Sequence, residues 1–246
     1  MATHRHRLLQ GHQVRLLQGG QDFFPALVDA IGQARAQVHL ETYIFDFTGV
    51  GEQVARSLMA AAERGVRVRV VVDGVGTGPL PEAWRKAFDR SGVHWMVYSP
   101  LGALGLALPS RWRRLHRKLC VVDGRLAFCG GINILDDFHD PHHGPLPVPR
   151  LDFAVCARGA LVAEVESTLI RLWQRMQVVQ GLRARRYPEV LREVREMGLR
   201  DWLADPRPVP PPGASDVRAG LLLRDNLRNR TRIERAYLQA IGRARR

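Results

Sequence analysis

Short apolar runs rich in β-branched residues alternate with stretches of helical periodicity over the first 176 residues, and this alternation confines the chain to an α/β fold, a sheet layered with helices. The runs predict strands near Val38 to Phe47, Val66 to Asp73, Val93 to Tyr98, Lys118 to Val122, Leu126 to Cys129 and Asp152 to Ala157. Between and after them, helices are expected over Asp22 to Ala36, Gly51 to Arg64, Pro81 to Ser91 and Gly159 to Met176. Asp123-Gly124 separates two of the apolar runs, the pairing that favours a tight hairpin turn.

Beyond residue 176 the pattern weakens. A basic, helix-prone stretch from Arg183 to Leu203 leads into Pro206-Arg207-Pro208-Val209-Pro210-Pro211-Pro212-Gly213, which reads as a semi-rigid extended linker. After it, Ala240-Ile241-Gly242-Arg243-Ala244-Arg245 nearly repeats Ala30-Ile31-Gly32-Gln33-Ala34-Arg35 of the first helix, and each copy follows a short leucine run, Leu16-Leu17 or Leu221-Leu222-Leu223. The expected organisation is a domain over 1–205, a linker over 206–219 and the start of a second, truncated domain of the same kind over 220–246.

A net charge of +13 points to a polyanionic partner, either nucleic acid or an anionic membrane surface. Of 37 basic residues only two are lysines, Lys86 and Lys118. Cys120, Cys129 and Cys156 lie in apolar runs without zinc or redox spacing and read as reduced core thiols of a cytosolic protein. No apolar run is long enough to span a bilayer, and the opening residues lack a signal-peptide core, so a membrane is expected to be met from the side.

The chemistry concentrates in Leu115-His116-Arg117-Lys118-Leu119-Cys120-Val121-Val122-Asp123-Gly124, an H-x-K-x4-D pattern followed by Gly130-Gly131-Ile132-Asn133. Two residues apart on a strand, His116 and Lys118 project from one face and bring an imidazole and an ammonium together. A fixed cation holding phosphate oxygens beside a nucleophilic nitrogen suits attack on a phosphodiester. Taken singly, each residue has an ordinary alternative: His116 a surface strand residue, Lys118 a solvated charge, Asp123 the first residue of the turn. In a chain that spends arginine at nearly every basic position, however, a lysine here marks a place where a compact point charge is needed.

This pattern resembles the signature of the phospholipase D superfamily, and within it the bacterial cardiolipin synthases. The resemblance also rests on Glu41-Thr42-Tyr43-Ile44-Phe45-Asp46, Arg67-Val68-Arg69-Val70-Val71-Val72-Asp73-Gly74, Arg150-Leu151-Asp152, Leu223-Arg224-Asp225-Asn226 and Ile233-Glu234-Arg235-Ala236-Tyr237. It implies a phospholipase D-like domain with a mixed sheet flanked by helices, one half of a duplicated fold. It implies His116 as nucleophile or general-acid partner, Lys118, Asn133 and Gly131 at the substrate phosphate, and Asp123 supporting the motif. Glu41 would orient an imidazole from below or simply pair with an arginine, and Asp152 would lie near the site or at a strand edge. No metal or organic cofactor is required. The implied reaction transfers a phosphatidyl group from phosphatidylglycerol or a related phospholipid to a second alcohol, giving cardiolipin through a phosphohistidine.

That reaction needs two imidazoles in opposite protonation states, and the sequence offers one motif; the other would come from a second half or a second copy across a twofold axis. His139, His142 and His143 crowd a loop with Asp140 and read as a polar surface loop or, alternatively, a metal cluster. Membrane contact is expected from Leu104, Leu106, Arg111, Trp112, Arg113 and Arg114, an apolar segment giving way to tryptophan and arginine; its alternative is an ordinary loop over the site. With Arg117, the arginines would contribute roughly 4 kcal/mol at an anionic surface. The expected location is peripheral, on the cytoplasmic face of the bacterial inner membrane. Two other functions fit the same residues: a dimeric single-motif phosphodiesterase or nuclease, with nucleic acid as partner, and a catalytically silent half-protein that binds anionic lipid.

Overall fold

The computed structural model describes residues 8, 10–100, 114–140, 143–183, 217–223 and 231–244. The chain runs β1 (Gln13–Gln18), α1 (Gly19–Gly32), β2 (Gln37–Thr42), α2 (Gly49–Glu63), β3 (Arg67–Asp73), α3 (Glu82–Ser91) and β4 (His94–Tyr98). It continues through β5 (Leu119–Val122), β6 (Leu126–Gly130), β7 (His139–Asp140), β8 (Gly144–Pro145), β9 (Phe153–Arg158), α4 (Ala160–Arg183) and α5 (Arg232–Arg243).

Seven strands form one mixed sheet in the order β1-β9-β6-β5-β2-β3-β4, with β2, β3 and β4 parallel and the other pairings antiparallel. Both faces of β2 and β3 are covered, so Val70, Val71 and Val72 run apolar without a break, whereas β2 alternates and buries His39 and Glu41 on one face. On one face Leu27 and Ile31 of α1 and Val54 and Leu58 of α2 bury completely against Val38, Leu40 and Val70, each side chain contributing about 1.5–3 kcal/mol. On the other face Val162, Val165 and Leu169 of α4 close over Leu119, Val121 and Ala127. The expected α/β class and flanking helices are what the structure has.

Several boundaries differ from the sequence reading. β1 is an added edge strand; its residues are mostly exposed and half of them are polar, so it carries no buried-strand signature. β2 ends at Thr42 rather than Phe47, because Phe45 leaves the ladder and makes only an isolated bridge to Ile134. α1 stops at Gly32 instead of Ala36, and α4 runs on to Arg183 instead of Met176. Residues 184–203 and 206–216 of the expected basic helix and linker lie outside the described residues, whereas Ala219 and Leu221 pack on the α4 face of the sheet. α5 has Tyr237, Leu238 and Ile241 exposed, while Leu27 and Ile31, which occupy the matching places in the near-repeat, are fully buried.

Candidate active site

The topology brings several strand ends to one end of the sheet. β5 runs antiparallel to β2, so the residues leading into β5 lie beside those leaving β2, and Glu41 is paired with Leu119. β6 returns antiparallel to β5, where the Gly130 N–H donates to the Lys118 carbonyl at 3.2 Å, and β9 starts beside Gly130 with Asp152 just ahead of it. β3 delivers Asp73 to the same end.

Lys118 and His116 precede the regular part of β5 in extended chain, and they converge as the two-residue spacing predicts: the ammonium lies 3.2 Å from His116 Nε2 and 3.4 Å from Nδ1. Tyr43 completes the group, its ring 5.0 Å from the imidazole and 5.4 Å below the Lys118 ammonium. Burial and the neighbouring Lys118 push the His116 imidazole below its usual value, with Asp73 opposing, which favours the neutral ring that a nucleophile needs. Burial pulls Lys118 down to about 8 against the attraction of Asp152. The ammonium is therefore mostly charged at neutral pH.

Two groups hold this end of the chain in place. Asp73 is fully buried and accepts from the Leu115 N–H at 2.7 Å, fixing the residue next to His116. Asn133 accepts the Ile44 N–H at 3.1 Å through its side-chain oxygen, which ties the loop after β6 to the end of β2 and leaves the amide NH2 to donate. Asn133 makes no hydrogen bond to His116 or Lys118. Gly130 and Gly131 exist for close approach: a Cβ on Gly130 would lie 2.4 Å from Ala154 Cα, and one on Gly131 would lie 2.0 Å from Asp152 Oδ1. The glycine pair thus lets β9 and the Asp152 carboxylate close on the site.

A family model described as "Cardiolipin synthase, PLD-like domain" matches residues 27–138, a range that includes His116, Lys118, Asp123, Gly131 and Asn133. Cardiolipin synthase B of Escherichia coli strain K12 is 31% identical over 96% of this chain and 52% of its own length. The chain belongs to the phospholipase D superfamily.

Cardiolipin synthase of Geobacillus kaustophilus is 34% identical over 54% of this chain and 26% of its own length. The chain spans about half the length of the first of these relatives. Among solved structures, the phospholipase D family member Nuc from Salmonella typhimurium is similar at 20% identity and a TM-score of 0.42, covering 60% of this chain and 84% of that one. NucT from Helicobacter pylori is similar at 15% identity and a TM-score of 0.44, covering 60% and 86%.

Within this phospholipase D-like domain the remaining motif residues divide by position. Asp123 sits at the far end of β5 from His116, in a turn where both Asp123 and Gly124 have positive φ, the type I′ geometry that Asp-Gly favours. Its carboxylate accepts the N–H groups of Arg35, Ala36 and Gln37 at 2.9, 2.8 and 2.9 Å. Burial opposes its charge, but these three bonds outweigh that and hold the pKa below the usual range. Asp123 therefore supports the motif by pinning the start of β2 to the hairpin, not by touching the imidazole. Asp123→Ala is expected to cost about 2 kcal/mol in denaturant unfolding. The wild-type contribution is present above the unfolded pKa and disappears as the pH falls through the lower folded value, a loss the variant does not show.

Glu41 does not reach an imidazole. Its carboxylate lies 2.9 Å from the Arg117 guanidinium, on the α4 side of the sheet. Arg114, expected at a lipid surface, lies 3.4 Å from the Asp73 carboxylate. Two of the four arginines counted toward membrane attraction are thus engaged inside the fold, which halves that estimate to roughly 2 kcal/mol. Leu104, Leu106, Arg111, Trp112 and Arg113 lie outside the described residues, as does His142. His139 and His143 flank a short hairpin, and among the described residues no group of three His, Cys, Asp or Glu is arranged to hold a metal ion. No described helix is long and apolar enough to cross a membrane.

Sequence reasoning did not place Tyr43, Asp73 or Arg117 at the site. Asp73 left a signal, a carboxylate closing the apolar run Val70-Val71-Val72. The contacts of Tyr43 and Arg117 depend on the register between β2 and β5, which local sequence does not carry.

Proposed function

We propose that this chain performs phosphatidyl transfer, forming cardiolipin from phosphatidylglycerol or a related phospholipid through a phosphohistidine. The observation that carries this reading is the 3.2 Å contact between the His116 imidazole and the Lys118 ammonium, with Asp152 acting on the lysine. In the free site the ammonium donates toward the imidazole; phosphate oxygens would draw it away and free the nitrogen for attack. The His116 nitrogen forms a bond to phosphorus as the bond to the headgroup glycerol breaks, and the departing oxygen takes a proton from a second imidazole. The hydroxyl of a second phospholipid headgroup then attacks the phosphorus, the bond to His116 breaks, and the second imidazole takes back a proton from that hydroxyl.

The second imidazole is proposed to come from a second domain of the same fold, which α5 would open, or from a second copy of the chain. A lipid substrate requires docking at an anionic bilayer, because drawing acyl chains into water costs about 0.8 kcal/mol per methylene. Residues 101–113 are the proposed contact and the cytoplasmic face of the inner membrane the proposed place.

Full-length protein mixed with phosphatidylglycerol vesicles should yield cardiolipin and free glycerol in equal amounts. Salt-sensitive cleavage of DNA without lipid turnover would replace this reading with the nuclease one. The lysine gives a further signature. As pH rises through about 8 the ammonium deprotonates and the phosphate clamp is lost, so turnover falls. Lys118→Arg keeps its charge, and its rate-pH profile, though lower throughout, should lack that alkaline limb.

A further inference from the structure

The α4 face of the sheet carries a buried polar cluster that the proposed chemistry leaves unused. Glu41 is 1% exposed, and beyond its ion pair with Arg117 neither carboxylate oxygen accepts an aligned hydrogen bond among the described residues. His39 Nε2 and Trp173 Nε1 are buried there too, without a partner among the described residues. Together with Arg69, Val71 and Leu169 these residues line a cavity of about 10 Å³. That is room for one water and for no organic ligand. The cluster's purpose must therefore lie in what it holds.

Burying a carboxylate is costly, and burial pushes Glu41 up to about 7 with Arg117 opposing. An apolar residue of similar size would cost the fold less. The groups facing Glu41 are Arg117, Arg69 of β3, Trp173 of α4 and His39 of its own strand. Burial, then Arg69 and Arg67, hold His39 down to about 4, so it is neutral near pH 7 and contributes no charge. Arg117 is the cation in contact, and it stands between His116 and Lys118. In extended chain neighbouring side chains point to opposite faces, so a grip on residue 117 below the sheet sets the direction of 116 and 118 above it. The backbone is anchored on either side, at the Leu115 N–H by Asp73 and at the Lys118 carbonyl by Gly130. The Glu41–Arg117 pair is the side-chain tie between those anchors.

We propose that Glu41 is a positioning residue: by holding the Arg117 guanidinium beneath the sheet it aims His116 and Lys118 at the substrate phosphate. This rests on the phosphatidyl-transfer reading of those two residues.

The test compares full-length wild type, Glu41→Gln, Arg117→Gln and the double variant on phosphatidylglycerol vesicles, with thermal melts alongside. At about pH 7.5 each single substitution should lower kcat about tenfold with KM held within about twofold. The double variant should be no worse than the weaker single one, because both remove the same tie. Glu41→Gln should melt within a few degrees of wild type, since an uncharged amide relieves the burial cost and Arg117 can turn to solvent. Wild-type kcat in Glu41→Gln, losses that multiply in the double variant, or a loss of turnover that tracks unfolding would each overturn the positioning role alone. An inactive wild type would overturn the reading beneath it.

Discussion

Replacing His116 with alanine should lower phosphatidylglycerol turnover by about a thousandfold or more while leaving vesicle binding unchanged. The size of the effect follows from what the side chain supplies. No other described imidazole contacts Lys118, and the covalent step has no substitute nucleophile at that point. Binding is spared because the proposed lipid contact, residues 101–113, does not include His116. Vesicle co-sedimentation and a cardiolipin assay on the same preparation check both halves of the statement. A variant that keeps its turnover would remove His116 from the mechanism.

The second large effect comes from a methyl group. Gly131→Ala puts a carbon 2.0 Å from Asp152 Oδ1 and 2.9 Å from its Cγ, so the carboxylate has to leave. The Gly131 backbone is not in the left-handed region, so the clash with Asp152 is what opposes a side chain there. With the carboxylate displaced, Lys118 loses the charge that resists the effect of burial, and its pKa drops below about 8. At neutral pH less of it is an ammonium. Turnover is expected to fall between about tenfold and a hundredfold, with the alkaline limb moved to lower pH. Asp152→Asn should reproduce most of the loss, and combining the two should add little. A Gly131→Ala protein with an unmoved pH profile would show that Asp152 does not act on the lysine.

The central strand β3 was legible because a strand covered on both faces favours apolar residues on both, here the run Val70-Val71-Val72. β1 was missed for the opposite reason, as an exposed edge strand whose polar residues carry no alternation. The meeting of His116 and Lys118 followed from a local rule, the two-residue period of extended chain. What escaped were roles that need partners far away in sequence. Asp123 looks like a turn residue and is one, yet the N–H groups it binds lie 86 to 88 residues earlier. Glu41 was open to two readings, orienting an imidazole or pairing with an arginine, and only the pairing of β2 with β5 shows that it is the second, with Arg117 on the other side of the sheet. Arg114 read as a surface cation because its partner Asp73 closes a strand far back in the chain. The glycine pair was recognisable as part of a motif, but its reason, the approach of Asp152 and Ala154, is visible only across β6 and β9.

The covalent intermediate is the most direct test of the mechanism. Full-length protein quenched in mid-turnover with phosphatidylglycerol, digested under alkaline conditions and analysed by mass spectrometry should carry a phosphatidyl group on the peptide containing His116. The adduct should be absent from His116→Ala and, when formed from isotope-labelled phosphatidylglycerol, should lose its label to an unlabelled phosphatidylglycerol chase. Active protein with no such adduct, or with the adduct on another residue, would contradict the assignment of His116 as the nucleophile.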